Sequence, residues 1–241
     1  MQAVHPSAVG VRQQALTRSG IQRVGGAAGV IFAVIDLAVA AVLITAISRS
    51  GVKPPFESNP GGTYDLLHAN LPVILTLGLA ETVAAIFALV FVRAIDDRLR
   101  PLAPTASPVA ALFGYAGLVI LALDFASFAV LEQSIAGGDS RQAVEGMIPA
   151  WSVLIGTTGL VGGSLTVAWL LTVNWIAARR GGLPKWLGYF GLLGAVVAAV
   201  GILLSIHGVT HVLVNIWEIV VGAVLIMGMR PAASRNAAHL P

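Results

Sequence analysis

The chain has 241 residues, 57% of them apolar and 10% charged, and its mean hydropathy is +0.88. Soluble domains carry about 25% charged residues, so this chain cannot cover a soluble surface, and disorder needs the opposite bias. The net charge is +3, yet no run of five Lys or Arg exists, which excludes nucleic acid as a partner; zero Cys excludes disulfides, Fe–S clusters and thiolate zinc sites. The composition is that of an integral membrane protein.

A spanning helix needs about 20 largely apolar residues. Six stretches qualify: Val24–Ser48, Leu71–Val92, Val109–Leu131, Ala150–Ala178, Trp186–Ile206 and Thr210–Met229. None contains Lys or Arg. The expected fold is therefore all-α, a polytopic bundle of six transmembrane helices. It divides into a mobile tail (1–23), a membrane domain (24–229) and a second tail (230–241). The first span is longer than the 7–15 apolar residues of a cleaved leader and reads as an uncleaved anchor. Gly208 is the expected turn between the last two spans, because glycine tolerates a tight reversal.

The loops carry their own signals. Pro54, Pro55, Pro60, Gly61 and Gly62 open the first one, and Thr63–His68 then reads as a short interfacial helix. The third loop, Glu132–Pro149, reads as another short helix, capped by Asp139 or Ser140. Trp151 at one boundary, and Trp175 and Trp186 at the other, form an aromatic belt.

Eleven basic residues lie in the two tails and the second and fourth loops: Arg12, Arg18, Arg23, Arg93, Arg98, Arg100, Arg179, Arg180, Lys185, Arg230 and Arg235. Only Arg49, Lys53 and Arg141 lie in the other loops. Basic residues resist translocation, so both termini are expected in the cytoplasm of a bacterial cell, with the lipid bilayer of the inner membrane as the principal partner.

Small residues recur at three- and four-residue spacing, the signature of close helix contact in lipid. The stripes are Gly25, Gly29, Ala33, Asp36 and Ala40; Gly156, Gly159, Gly163 and Thr166; and Gly188, Gly191 and Gly194. They read as intramolecular seams, and one of them can serve a homodimer.

Four acids fall inside spans: Asp36, Glu81, Asp124 and Glu218. Each charge at a helix centre costs about 2.5–3.5 kcal/mol, and no Lys or Arg in a span offsets it. Counted from the outer end of each span, Asp124 lies roughly 10 Å deep, Glu218 roughly 12 Å, Glu81 roughly 15 Å and Asp36 roughly 18 Å. On the sixth span His211, Asn215 and Glu218 share one face at i, i+4, i+7. Two readings stay open. The acids are protonated and hydrogen-bonded, holding helices together. Or Glu81, Asp124, His211, Asn215 and Glu218, with Asp36, line a pocket for a proton, an ion or a polar ligand, as a small transporter needs. His207 and His211 are the candidate metal ligands; no cofactor is expected.

Enzyme motifs are few. His211-Val-Leu-Val-Asn215 resembles the His-x-x-x-Asn element of rhomboid intramembrane proteases, and Gly163-Ser164 resembles their serine motif. Here Leu165 replaces the glycine after the serine, and the His/Asn element follows the serine instead of preceding it. Asp97-Arg98-Leu99-Arg100 resembles the signature of the major facilitator superfamily without its glycine. An enzyme, metal-dependent or serine-type, therefore stands as an alternative with little behind it.

Over about residues 20–230 the chain resembles the six-span bacterial proteins of the domain of unknown function 4386. The resemblance lies in Arg23-Val-Gly-Gly-Ala-Ala-Gly29, the long first outer loop, and Ala178-Arg-Arg-Gly-Gly-Leu-Pro-Lys-Trp-Leu-Gly188. It implies an integral membrane role and no established activity.

Overall fold

A computed structural model describes residues 8–52, 56–204 and 207–228, without the side chains of 8–19, 125 and 207–211. Seven α-helices follow in order: α1 (Ala8–Ser50), α2 (Pro60–Ala69), α3 (Leu71–Leu99), α4 (Ala106–Ala136), α5 (Arg141–Arg180), α6 (Lys185–Leu203) and α7 (His207–Met227). A 3-10 turn at Phe56–Ser58 precedes α2. There is no strand among the described residues. α1, α3, α4, α5 and α6 are long and apolar enough to cross a membrane. The described side chains of α7, Val212–Met227, form a shorter apolar run. The six long helices close into a ring: α1 packs on α3, α3 on α4, α4 on α5, α5 on α6, α6 on α7 and α7 on α1.

The helices overrun the apolar stretches that mark them in the sequence. α1 starts at Ala8 rather than Val24, and its early Arg, Gln, Ala and Leu residues all favour helix. α5 has 40 residues and is about 60 Å long, twice the hydrocarbon thickness of about 30 Å. Its start is the helix expected in the third loop. Ser140 caps it, accepting from the Ala143 N–H at 3.3 Å, and the helix then runs through Pro149 without a break. The proline removes one hydrogen bond but does not end the helix, because the segment before it is held from outside. Val144 and Ile148 are fully buried there, and Arg141 bonds Asp65 at 3.0 Å.

Two further expectations are corrected. Gly208 is not the turn; it lies inside α7, which starts at His207. Trp151 is not a lipid-facing belt residue. It is 7% exposed, with Phe128 edge-on at 4.6 Å and Phe56 tilted at 6.0 Å. The packing around it is protein, so the ring never reaches the boundary. Trp175 and Trp186 are exposed, as a belt requires.

The core has two parts, one towards each end of the bundle. One surrounds three mutually edge-on rings, Phe91, Trp169 and Trp217, with Trp169 and Trp217 5.8 Å apart. The other gathers Leu67, Ile74, Leu131, Ile135, Val144, Ile148 and Trp151. The first end is tied by arginines. Arg98 donates to the Gly182 carbonyl at 2.7 Å and to Gln22 at 2.8 Å, and Arg180 donates to the Leu102 carbonyl at 2.9 Å. At the second end α2 lies on α5, fixed by Asn59, which accepts from the Gly62 N–H and precedes Pro60. Ser152 also donates to Glu57 there, which holds that carboxyl below its ordinary range.

The small-residue stripes divide in the same way. Gly25 and Gly29 meet Ala94 and Phe91 of α3, and Gly188 and Gly191 meet Ala178 and Asn174 of α5. On α5, Gly163 meets Ile202, but Gly156 and Gly159 face open space. Gly194 of α6 faces open space too, so the fourth- and fifth-span stripes are seams only in part.

Candidate functional site

The ring order decides which acids meet. Gly26 of α1 and Gly222 of α7 approach backbone to backbone. Gly222 shares its helix face with Asn215 and Glu218, so that face is turned towards α1. Asn215 donates from Nδ2 to Asp36 Oδ2 at 2.6 Å, 179 residues apart in sequence. Glu218 is 4% exposed and interacts electrostatically with Asp36. Its Oε2 is buried with no hydrogen-bond partner among the described residues. Asp36, Asn215 and Glu218 thus form one polar cluster in the α1–α7 seam.

Asp124 belongs elsewhere. It sits on α4, which packs on α3 and α5, and its carboxylate accepts from the Thr158 hydroxyl of α5. The Ser127 hydroxyl donates to the Asp124 carbonyl at 2.7 Å. Glu81 is buried on α3 at 5% exposure. The antiparallel register set by Gly25 against Ala94 and Gly29 against Phe91 brings Glu81 to within about one turn of the level of Asp36. None of these acids lines either of the two recesses at the α2 end of the bundle. The side chains of His207 and His211 lie outside the described residues; their backbones fall on one helix, α7. Among the described residues no group of three His, Cys, Asp or Glu has metal-site geometry. Ser164 is exposed, and its hydroxyl donates to Leu160 in its own helix.

Two polar features were missed by reading depth alone. Asn174 is fully buried; its Nδ2 donates to the Leu170 carbonyl at 2.8 Å, and its Oδ1 accepts from Trp217 Nε1 at 3.0 Å. Gly191 packs directly on that amide, so one asparagine joins α5, α6 and α7. The signal was present as a lone Asn in an apolar run and a Trp in the middle of a span. Thr158 was missed because hydroxyls in membrane helices commonly bond their own backbone, as Thr158 also does to Leu154 at 2.9 Å.

Long apolar helices in a ring, with carboxyls buried between them, define a membrane-type bundle. The family described as domain of unknown function (DUF4386) matches residues 50–228. The chain belongs to that family. Ala178–Gly188 lies inside the match and Arg23–Gly29 lies before it. No curated protein and no solved structure matches the chain.

Proposed function

We propose that the chain is a six-span protein of a bacterial inner membrane, with both termini cytoplasmic, that binds and releases a proton or small cation at Asp36 and Glu218. It would act as a small proton-coupled carrier. The observation that carries this reading is Glu218, buried beside a second acid, with one oxygen that has no hydrogen-bond partner among the described residues. Two carboxyls in a low-dielectric seam do not both ionise unless a cation sits with them, and intramembrane acids are functional candidates by default. A side chain kept only for packing is expected to be hydrogen-bonded to a neighbouring helix, as Asp124 is through one oxygen to Thr158. Asp124 therefore favours the structural reading, and the α1–α7 pair favours the functional one.

The six-span count draws support from α7, whose 21 residues reach about 31 Å, enough for one crossing. Orientation draws support from the arginines gathered at the end where α3 and α5 finish. Reporter fusions after Pro60, Arg100, Gly137, Arg180 and Met229 are expected to read out, in, out, in, in. A fusion after Arg100 that reads outside overturns the topology.

The site itself is tested by infrared spectroscopy of the protein reconstituted in vesicles and titrated between acid and alkaline buffers. A carboxylic C=O band that appears and disappears with pH is expected, and Glu218→Gln should remove it while helix content stays unchanged. A wild-type spectrum with no titrating carboxyl band sinks the proposal, as does a band untouched by both Glu218→Gln and Asp36→Asn.

A further inference from the structure

At the α2 end a cleft of about 820 Å³ opens between the last turns of α1, the side of α2 and the start of α3. That is within the size range of small-molecule sites. Its polarity is graded along the helix axis. Arg49, Ser50, Asn59 and Asp65 stand at the end of the bundle, while Ala41, Val42 and Val73 line the deeper part. Ala41 and Arg49 are eight residues apart on one helix, about 12 Å. Behind the cleft, towards the core, lies a small apolar recess of about 40 Å³. Cleft and recess share Val42, Ala46, Leu66, Asn70 and Val73 as walls, and Phe128 and Trp151 line the recess.

The charges at the mouth are unequal. Asp65, the acid on the wall, is taken by Arg141 of α5 at 3.0 Å. Arg49 is exposed and makes no hydrogen bond or ion pair among the described residues. A free guanidinium at the edge of an apolar groove suits a phosphate, with which it can form paired hydrogen bonds. The surroundings of the cleft decide what carries that phosphate. Val42, Ile44, Val73 and Leu75 beside it are exposed apolar side chains on helices that suit a membrane. The apolar side of the cleft therefore opens onto the surface that suits a bilayer, where lipid is already present.

We propose that this cleft is a binding site for a membrane lipid with an anionic phosphate headgroup. Arg49 holds the phosphate, the Asn59 and Asn70 amides line the headgroup region, and the chain runs down past Val42 and Val73 towards the recess at Trp151. The assignment rests on the chain lying in a bilayer and is independent of the carboxyl pair between α1 and α7.

Trp151 makes the test direct, because bromine on a lipid chain quenches a tryptophan it touches. The full chain is reconstituted in phosphatidylcholine vesicles doped with chain-brominated phosphatidylglycerol, or with chain-brominated phosphatidylcholine at the same mole fraction. Brominated phosphatidylglycerol is expected to quench several-fold more effectively. Trp151→Phe should abolish that difference. Arg49→Gln should weaken the anionic lipid's apparent affinity about tenfold and leave the zwitterionic lipid unchanged; among the described residues Arg49 has no partner whose loss could unfold the variant. Glu218→Gln should leave the quenching intact, which separates this site from the carboxyl pair. Equal quenching by the two lipids, an unaffected Arg49→Gln variant, or displacement by inorganic phosphate in the buffer would each overturn the proposal.

Discussion

Gly191→Leu is expected to cost the bundle about 3 kcal/mol or more. A side chain at position 191 runs straight into the Asn174 amide, which is fully buried. Flexible neighbours absorb such a clash by turning away, but Asn174 cannot. Its nitrogen is held by Leu170 and its oxygen by Trp217, so any rotation breaks a bond in the protein interior. The size of the clash decides the effect. Interhelical hydrogen bonds in membranes average only about 0.6 kcal/mol, whereas overpacking a tight seam costs about 1–3 kcal/mol and sometimes more. Asn174→Ala alone should therefore cost less, about 1–3 kcal/mol, mainly through the indole N–H left unpaired. The two sites must also couple. In the Asn174→Ala background the room vacated by the amide accepts a methyl, so Gly191→Ala should cost at least about 1 kcal/mol less than in the wild type. Unfolding in detergent, followed by tryptophan fluorescence, measures all four corners of the cycle. Additive costs would mean that Gly191 and Asn174 do not share space.

What the sequence revealed and what it hid follow one physical division. The apolar stretches mark α3, α4, α5 and α6 because removal from water needs long runs without charge, and such runs can be counted. Depth could be counted too, which placed Asp36, Glu81, Asp124 and Glu218 in one layer. Direction could not. Which acids meet depends on the order of helices around the ring, and α4 borders α3 and α5 while α7 borders α1 and α6. Asp36 appeared to belong to a stripe that seats a neighbour. It does sit on that stripe, and it also accepts from Asn215. Helix ends were hidden for a different reason. Pro149 lowers helix propensity locally, but tertiary contacts such as those of Val144 and Ile148 outweigh that local preference. Trp151 carried the composition of a belt residue, and only the approach of Phe56 and Phe128 places it in the interior.

Gly26→Val should have an effect of similar size, about 3 kcal/mol, and should reach the candidate site as well. A methyl at residue 26 would lie 2.5 Å from the Gly222 carbonyl oxygen and 3.0 Å from the Ile226 nitrogen. Both are backbone atoms of α7, which no rotamer change can move. Relief therefore requires α1 to move away from α7 as a body. Asp36 lies ten residues further along α1, about 15 Å, on the same seam. A displacement of about 1 Å there would stretch the 2.6 Å bond from Asn215 beyond hydrogen-bond range. Gly26→Val should then alter the titrating carboxyl band expected of Asp36 and Glu218 without touching either residue. Gly156→Ala is the matched control. Its side chain points into open space, so stability should stay within about 0.5 kcal/mol and the band should not change. Thermal unfolding gives the first quantity and infrared titration the second. A Gly26→Val protein as stable as the Gly156→Ala control would mean that α1 and α7 are not in the close contact that brings Asp36 to Asn215. A destabilised Gly26→Val protein with an unchanged band would instead place the titrating carboxyl away from this seam.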